Sequence, residues 1–431
     1  MSNMEKIISN KMWQVLDILR GTYDVEYSIK IAQEKIFLKL LPYSKAKYKE
    51  ILKYDDLKSS LNNDTLMKNT LKYIFKIMDE KHLLERITEV LNEEEFNKIC
   101  EENRASDIFE VVIDFKYNKN KHIHYNTSPS INKLMSRIFK NKEFNTLYDP
   151  TIGTGILIKN IVKCHDNVSI YGQDISEDEL NICKMMFILD GRISDIENIK
   201  LGNTIINPMH TEKDSLQKFD CIVSSPPLVL KDWGYNDVLD DKYNRFTRGI
   251  PTKNSGDYAF ISHIVESMDD KGIAMIVVSG GTLFRGGVEG RIRKQLIKEN
   301  IVDAIIALPN NTVYGTSIPV NLLILNKNKS NKEILFIDVI NNMESSRTLT
   351  IISNDMIEKI GSTYDKYEEE AGFSRLVGFD ELEENEFNLG IARYVSAVKE
   401  ESNEDVKAIK TDILGLEVKL KKIQLELSKY M

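Results

Sequence analysis

Phe219-Asp220-Cys221-Ile222-Val223-Ser224-Ser225-Pro226-Pro227-Leu228 is the stretch whose reading decides the fold. An apolar run of strand length ends in two successive prolines, and each proline lacks an amide donor and fixes φ. The strand therefore stops at Ser225, and the chain leaves it stiff, with carbonyls left without strand partners. Ligands of an open α/β sheet sit outside the carboxyl ends of its strands, so this turn is a candidate site. An ordinary proline-rich exit from a strand would explain the stretch if it stood alone. Its neighbours in sequence argue for more.

Upstream, residues 147–158 (Leu-Tyr-Asp-Pro-Thr-Ile-Gly-Thr-Gly-Ile-Leu-Ile) read as a short strand, a Gly-x-Gly turn and an apolar helix. Glycines let the backbone turn tightly and let a ligand approach the amides that open a helix. Many βα turns carry Gly-x-Gly, so the motif says little by itself. Residues 168–174 then read as a second strand ending in Asp174, 19 residues beyond Gly155. A doubly wound fold places there the carboxylate that grips ribose hydroxyls. The third glycine of a dinucleotide fingerprint is replaced by Ile158, which favours a nucleoside without phosphates over a pyrophosphate. A third unit, residues 199–203, puts Asn203 just past a strand, where its amide can hydrogen-bond an adenine edge.

The chain of 431 residues is long enough for two or three domains and carries a net charge of −8. Such a charge gives no general attraction to a polyanion, so any nucleic-acid contact must use a local basic face or a basic partner. The four cysteines (Cys100, Cys164, Cys183, Cys221) form no Cys-x-x-Cys pair and read as reduced core residues. No apolar run is long enough for a signal sequence or a membrane span, and a cytoplasmic protein is expected. Residues 1–115 read as a helical region, with amphipathic segments around Ile7–Leu19, Leu66–Met78 and Ile87–Leu91. The polar, basic run 116–121 marks a boundary. His122 and His124 lack a third ligand at metal-binding spacing. The loop 122–129, which contains Thr127, reads instead as a cover over whatever the Gly-x-Gly turn binds.

Residues 272–279 form another apolar strand, and five of the 21 glycines (Gly280, Gly281, Gly286, Gly287, Gly290) follow in one loop. Arg285, Arg291, Arg293 and Lys294 make the loop and its helix a candidate phosphate-facing surface, although a solvated helix with surface arginines reads equally simply. Strands over 302–308, 320–325 and 334–339 come next. The acidic runs at 368–370 and 381–386 read as a solvated connector. In the last helix Val406, Ile409, Ile413, Leu416, Leu420, Ile423 and Leu427 alternate spacings of three and four, a heptad seam suited to a partner.

In order, D-P-T-I-G-T-G, G-Q-D, G-N-T and S-P-P-L resemble the motifs of S-adenosylmethionine-dependent amino-methyltransferases that act on DNA bases. R-F-T-R-G-I-P (245–251), G-D-Y-A-F-I (256–261), L-F-R-G-G-V-E-G-R-I-R (283–293), I-I-A-L-P-N-N-T-V-Y-G-T-S-I-P (305–319) and F-N-L-G-I-A-R-Y-V (387–395) narrow this. They are similar to the modification (M) subunit of type I restriction–modification systems, over roughly residues 120–431. The resemblance implies an α/β, Rossmann-like methyltransferase sheet of about seven strands. It would occupy residues 116–345, between the helical domain 1–115 and an acidic connecting region 346–400. Residues 401–431 would form a C-terminal coiled-coil-type helix that binds the specificity (S) subunit. DNA, a restriction (R) subunit and a hetero-oligomer with two M subunits complete the implied partners. S-adenosylmethionine would be held by Thr127, Asp149, Gly153, Gly155, Asp174 and Asn203, with Arg285, Arg291 and Arg293 on DNA. The cofactor loop precedes the Pro-Pro turn, an order that favours adenine as the target.

The chemistry has one central difficulty. The lone pair of an exocyclic amine is delocalised into the ring, so its nitrogen is a poor nucleophile. An acceptor side chain and a proline carbonyl can accept hydrogen bonds from its N–H groups and draw it toward tetrahedral geometry, which is electrostatic preorganisation. The base must first leave the duplex, and an aromatic ring normally stacks on it. The mechanism asks for neither a metal nor a covalent intermediate. The family reads Asn-Pro-Pro-aromatic; here the catalytic residues would be Ser225, Pro226, Pro227 and Leu228. Serine keeps an acceptor oxygen with a shorter reach, and leucine keeps bulk without a π face, unless Trp233 or Tyr235 supplies one. These changes weaken an enzyme without abolishing it. Two other readings stay open: a methyltransferase-like scaffold that binds DNA and partner without transfer, and a protein-glutamine methyltransferase, which the strings at 280–325 and the terminal seam disfavour.

Overall fold

The computed structural model describes residues 2–44, 81–119, 127–165, 167–313, 317–343, 346, 349–395, 413, 416 and 419. The expected segment at 66–78 and both His122 and His124 lie outside the described residues. The chain divides into two units, Met1–Val395 and Ser396–Met431. Of the second, Ile413, Leu416 and Lys419 are described as helical and exposed; the other seam residues lie outside the described set.

Nine strands make the central sheet of the first unit: β1 (Thr146–Asp149), β2 (Ser169–Asp174), β3 (Ile199–Leu201), β4 (Phe219–Ser224), β5 (Met268–Ser279), β6 (Val302–Ala307), β7 (Val320–Asn326), β8 (Ile334–Asp338) and β9 (Ser374–Val377). Their spatial order is β9-β8-β6-β7-β5-β4-β1-β2-β3. β1 pairs in parallel with both β2 and β4, with Leu147 opposite Cys221 and Tyr148 opposite Ile222. β7 enters antiparallel between β5 and β6. The chain winds toward β3 on one side of β1 and toward β5 on the other. This reversal opens a crevice where β1 and β4 end side by side. β6, β7 and β8 are almost wholly buried, as strands covered on both faces should be.

The described helices are α1 (Asn3–Leu19), α2 (Val25–Leu40), α3 (Lys81–Leu91), α4 (Glu94–Glu102), α5 (Ala105–Lys119), α6 (Pro129–Phe139), α7 (Ile156–Val162), α8 (Glu177–Asp190), α9 (Asp257–Ser267), α10 (Gly287–Lys298), α11 (Asn354–Lys366) and α12 (Phe379–Glu384). Local signals place their starts. Ser2 and Glu5 form a capping box on α1, and the Asp24, Ser128 and Ser176 side chains cap α2, α6 and α8. Apolar side chains of α9 and α10 pack on one face of the sheet, together with Leu382. The other face shares a single core with α1–α8 and α11.

Three expectations change. The sheet has nine strands rather than about seven: the strand expected over 334–339 joins it as β8, and β9 adds an edge that the sequence reading does not contain. Within the expected connector 346–400, the described residues 349–395 are folded rather than solvated: β9 pairs antiparallel with β8, and Ile357, Ile360 and Tyr364 of α11 are buried. The acids at 368–370 and 381–386 form the polar surface of that folded segment, where Glu370 pairs with Lys359 and Glu381 with Arg375. Finally, the N-terminal helices are not a separate appendage. The fully buried Lys159 of α7 donates to Asp107 and Glu110 of α5 at 2.6 and 2.5 Å, and Arg104 reaches Asp190 at 2.6 Å.

Candidate active site

The site begins where β1 runs out. Asp149 is buried, and its Oδ1 accepts the Thr151 amide at 2.9 Å, which turns the chain back over the strand end. Gly153 holds φ at +51° with nothing near the place of a side chain. The turn is anchored to β2: the Ile152 amide donates to the Gln173 carbonyl at 3.0 Å, and the Gly153 amide donates to Asp174 Oδ2 at 2.9 Å. Asp174 Oδ1 accepts the Ser176 amide at 2.9 Å, so the carboxylate joins the glycine turn to the start of α8.

Around these groups lies a cavity of about 280 Å³. It brings together Thr127, Asp149, Gly153, Asp174 and Asn203 with Ser225 and Pro227 of the double-proline turn. The three other residues expected there do not line it. Gly155 faces away: it opens α7 with φ at +77°, and a Cβ there would stand 2.7 Å from Cys183 Sγ. Its glycine is demanded by the packing of α8 rather than by a ligand. Pro226 is buried. Leu228 is 5 % exposed and belongs to the large core, so it cannot pack on a base. The cause is the next residue, Val229, whose φ of +51° reverses the chain and presents Leu230 to the cavity instead. Trp233 is also enclosed, with its Nε1 donating to the Thr252 carbonyl at 2.8 Å.

Among the cavity residues that the sequence reading does not single out are Phe260 and Asn132. Phe260 of α9 lines the same cavity as Ser225 and Pro227; the signal is its place in the G-D-Y-A-F-I string. Asn132 lies on the buried face of α6 between Ile131, Leu134 and Met135. A lone amide on an apolar helix face was the available clue. Asn132 is 3 % exposed, and its Oδ1 has no hydrogen-bond partner. An orphan buried acceptor of this kind costs free energy until a donor arrives.

The electrostatics point the same way. Burial pushes the Asp149 carboxyl up to about 8, against the hydrogen bonds from Thr151 and with a contribution from Asp174. Burial also raises Asp174. Among the described residues neither acid forms an ion pair with a lysine or arginine. A buried and a half-buried carboxyl without a cation, beside an orphan acceptor, fit a ligand that carries positive charge and hydroxyl donors.

The arginine surface is smaller than expected. Arg293 is buried and donates to the carbonyls of Phe387, Arg285 and Thr282 at 2.8, 2.9 and 3.3 Å. Arg285 pairs with Asp257 at 2.7 Å and Glu289 at 2.5 Å. A guanidinium has five donors and readily serves buried acceptors, and both of these are bonded within the fold. Arg291 and Lys294 are exposed, in a groove shared with Arg393, Glu384 and Glu386.

Comparison with known proteins decides the family. The N-6 DNA methylase model matches residues 100–403. The chain belongs to the N-6 DNA methylase family. It is 30 % identical over 407 residues to the type I restriction enzyme MjaVII methylase subunit of Methanocaldococcus jannaschii, covering 87 % of this chain and 69 % of that one. It is 31 % identical over 309 residues to the MpnII methylase subunit of Mycoplasma pneumoniae, covering 67 % and 55 %. The chain thus spans little more than half to about two thirds of the length of these relatives. The solved type I restriction-modification methyltransferase subunit of Streptococcus thermophilus superposes with a TM-score of 0.75 at 24 % identity, over 91 % of this chain and 100 % of that one. The fold is that of S-adenosylmethionine-dependent methyltransferases, as the sheet order indicates. Among the described residues no helix of the chain is long and apolar enough to cross a membrane.

Proposed function

We propose that this chain is the methyl-transferring subunit of a type I restriction–modification system, acting on the exocyclic N6 amine of adenine in DNA. The observation that carries the reading is the shared cavity: Ser225 and Pro227 face the same space as the Asp149, Gly153 and Asp174 turn. S-adenosylmethionine would supply an electrophilic methyl group on a sulfonium. Its positive centres suit Asp149, Asp174 and the orphan Asn132 oxygen, and Asp174 is placed to receive ribose hydroxyls. Thr127 and Asn203 border the rest of the space. Asn203 Oδ1 already accepts the Ile205 and Ile206 amides, at 2.9 and 3.1 Å, so its amide nitrogen is the group left for an adenine edge.

For the target base, Ser225 would accept a hydrogen bond from the amine, assisted by backbone carbonyls of the turn. Phe260 and Leu230 would take the packing role that the family assigns to the residue after the second proline. The specificity subunit, engaged through the C-terminal helix, would supply the recognition sequence, and a second copy of this chain and a restriction subunit would complete the assembly. Single-molecule sequencing of DNA from cells expressing the chain with its specificity partner tests this. Methylated adenines in a split motif are expected. Unmodified DNA, with the complex still bound to it, would leave a scaffold that transfers nothing.

A further inference from the structure

Val229 is a β-branched residue held at a φ of +51°. Such residues are genuine outliers in this region and persist only where the surroundings hold them. Here the surroundings are a buried acid. Asp257, the first residue of α9, accepts the Val229 amide on Oδ1 at 2.8 Å. Its Oδ2 accepts three donors: Ser279 Oγ at 2.9 Å, Thr282 Oγ1 at 2.9 Å and Arg285 Nη2 at 2.7 Å. The next link of the same corner is the Gly256 amide, which donates to the Leu230 carbonyl at 2.9 Å. Gly256 lies so close to Trp233 that a Cβ there would stand 2.8 Å from the Trp233 Cβ. The turn is thus fastened to the start of the helix that carries Phe260 one turn later.

We infer that Asp257 is a positioning residue: it clamps the strained Val229 corner so that Ser225, Pro227 and Phe260 share one geometry, with Arg285 supplying the counter-charge. The inference rests on the proposed methyl transfer and deepens it. It also gives the arginine of the glycine-rich loop a task other than touching phosphate. Oδ1 holds the corner and Oδ2 holds the loop between β5 and α10, so a shift of either is felt by the other. The cofactor turn after β1 shares none of these bonds, so its grip is independent of the clamp.

The test uses the full chain in complex with its specificity subunit. Asp257→Ala should lower kcat about a hundredfold, the scale of a 1 Å misplacement, with cofactor-product affinity by calorimetry unchanged within about twofold. Asp257→Asn keeps an acceptor for Val229 and should retain more activity. Val229→Gly placed on Asp257→Ala should recover part of kcat, because glycine adopts positive φ without strain; a purely structural role predicts no such recovery. Hydrogen exchange at the Val229 amide gives a reading independent of transfer. It should accelerate at least about tenfold in Asp257→Ala while residues 149–155 stay protected. An unchanged Val229 amide overturns the clamp, as does an equal loss of cofactor affinity. If the wild-type complex methylates nothing, the proposed function fails and the exchange result alone decides the clamp.

Discussion

Asp174 accepts the Gly153 amide at 2.9 Å, so the end of β2 and the turn after β1 are held by one carboxylate. The carboxylate both shapes the turn and faces the cavity. Replacing it by alanine removes a charged acceptor from bound ligand and frees the turn. Asp174→Ala should weaken binding of the cofactor product roughly 10- to 150-fold, the range of a hydrogen bond to a charged group. Calorimetry measures this directly, and equal affinity would move the ribose grip elsewhere.

Asp149 makes that binding depend on pH. Burial pushes its carboxyl up to about 8, which favours the protonated form at neutral pH. A cation in the cavity favours the ionised form and lowers this value. Binding below pH 8 therefore releases a proton, and affinity should rise with pH by up to roughly tenfold per unit, levelling above about 8. Asp174, raised in the same direction, adds to the effect. Titrations in two buffers of different ionisation enthalpy count the proton. Asp149→Asn should flatten the dependence, and a slope that survives this change would refute the assignment.

Gly155 is a packing residue, which separates it from Gly153. A methyl group there would meet Cys183 Sγ at 2.7 Å and Phe187 Cε1 at 3.3 Å, on a backbone at φ +77°. Gly155→Ala should destabilise the fold by about 1–3 kcal/mol. Adding Cys183→Ala removes the nearest contact and leaves Cβ at 3.6 Å, so it should restore part of the loss in thermal unfolding. No restoration would place the whole cost in the backbone.

Leu228 is buried in the core while Phe260 lines the cavity. Leu228→Phe, which rebuilds the family motif on paper, enlarges a residue already 5 % exposed within the core. It should cost about 1–3 kcal/mol of stability and give no gain in turnover. Phe260→Ala should lower turnover on DNA roughly 5- to 150-fold if its ring stacks on the base, from about 1–3 kcal/mol per stack. A loss confined to cofactor affinity would assign the ring to the cofactor.

The parts of the site written in short strings were readable in advance. The double proline ends β4, the Gly-x-Gly turn follows β1, and an acid closes β2, each through the local backbone chemistry of a few residues. What was unreadable depends on distance. Arg293 looks like a surface cation until the Phe387 carbonyl, 94 residues away, accepts its Nε. Leu228 looks like the base-facing residue until Val229 turns over, and nothing about a valine announces positive φ. The run 346–395 looks acidic and open because its burial is supplied by β8 and by the helices beside α11. Asn132 gave one faint sign, an amide in an apolar stripe, whose meaning depends on the cavity above it.

Lys159 has a consequence for how the molecule can be divided. Its ammonium is fully enclosed, with Asp107 and Glu110 as its acidic partners. A shortened chain starting at the boundary near residue 116 would lose both acids together with most of α5, the helix that carries them, and would uncover the core face of α7 that Ile108, Phe109 and Val112 share. The helices at the front of the chain are therefore the foundation of the glycine turn, and trimming them would unseat α7 before any substrate arrived.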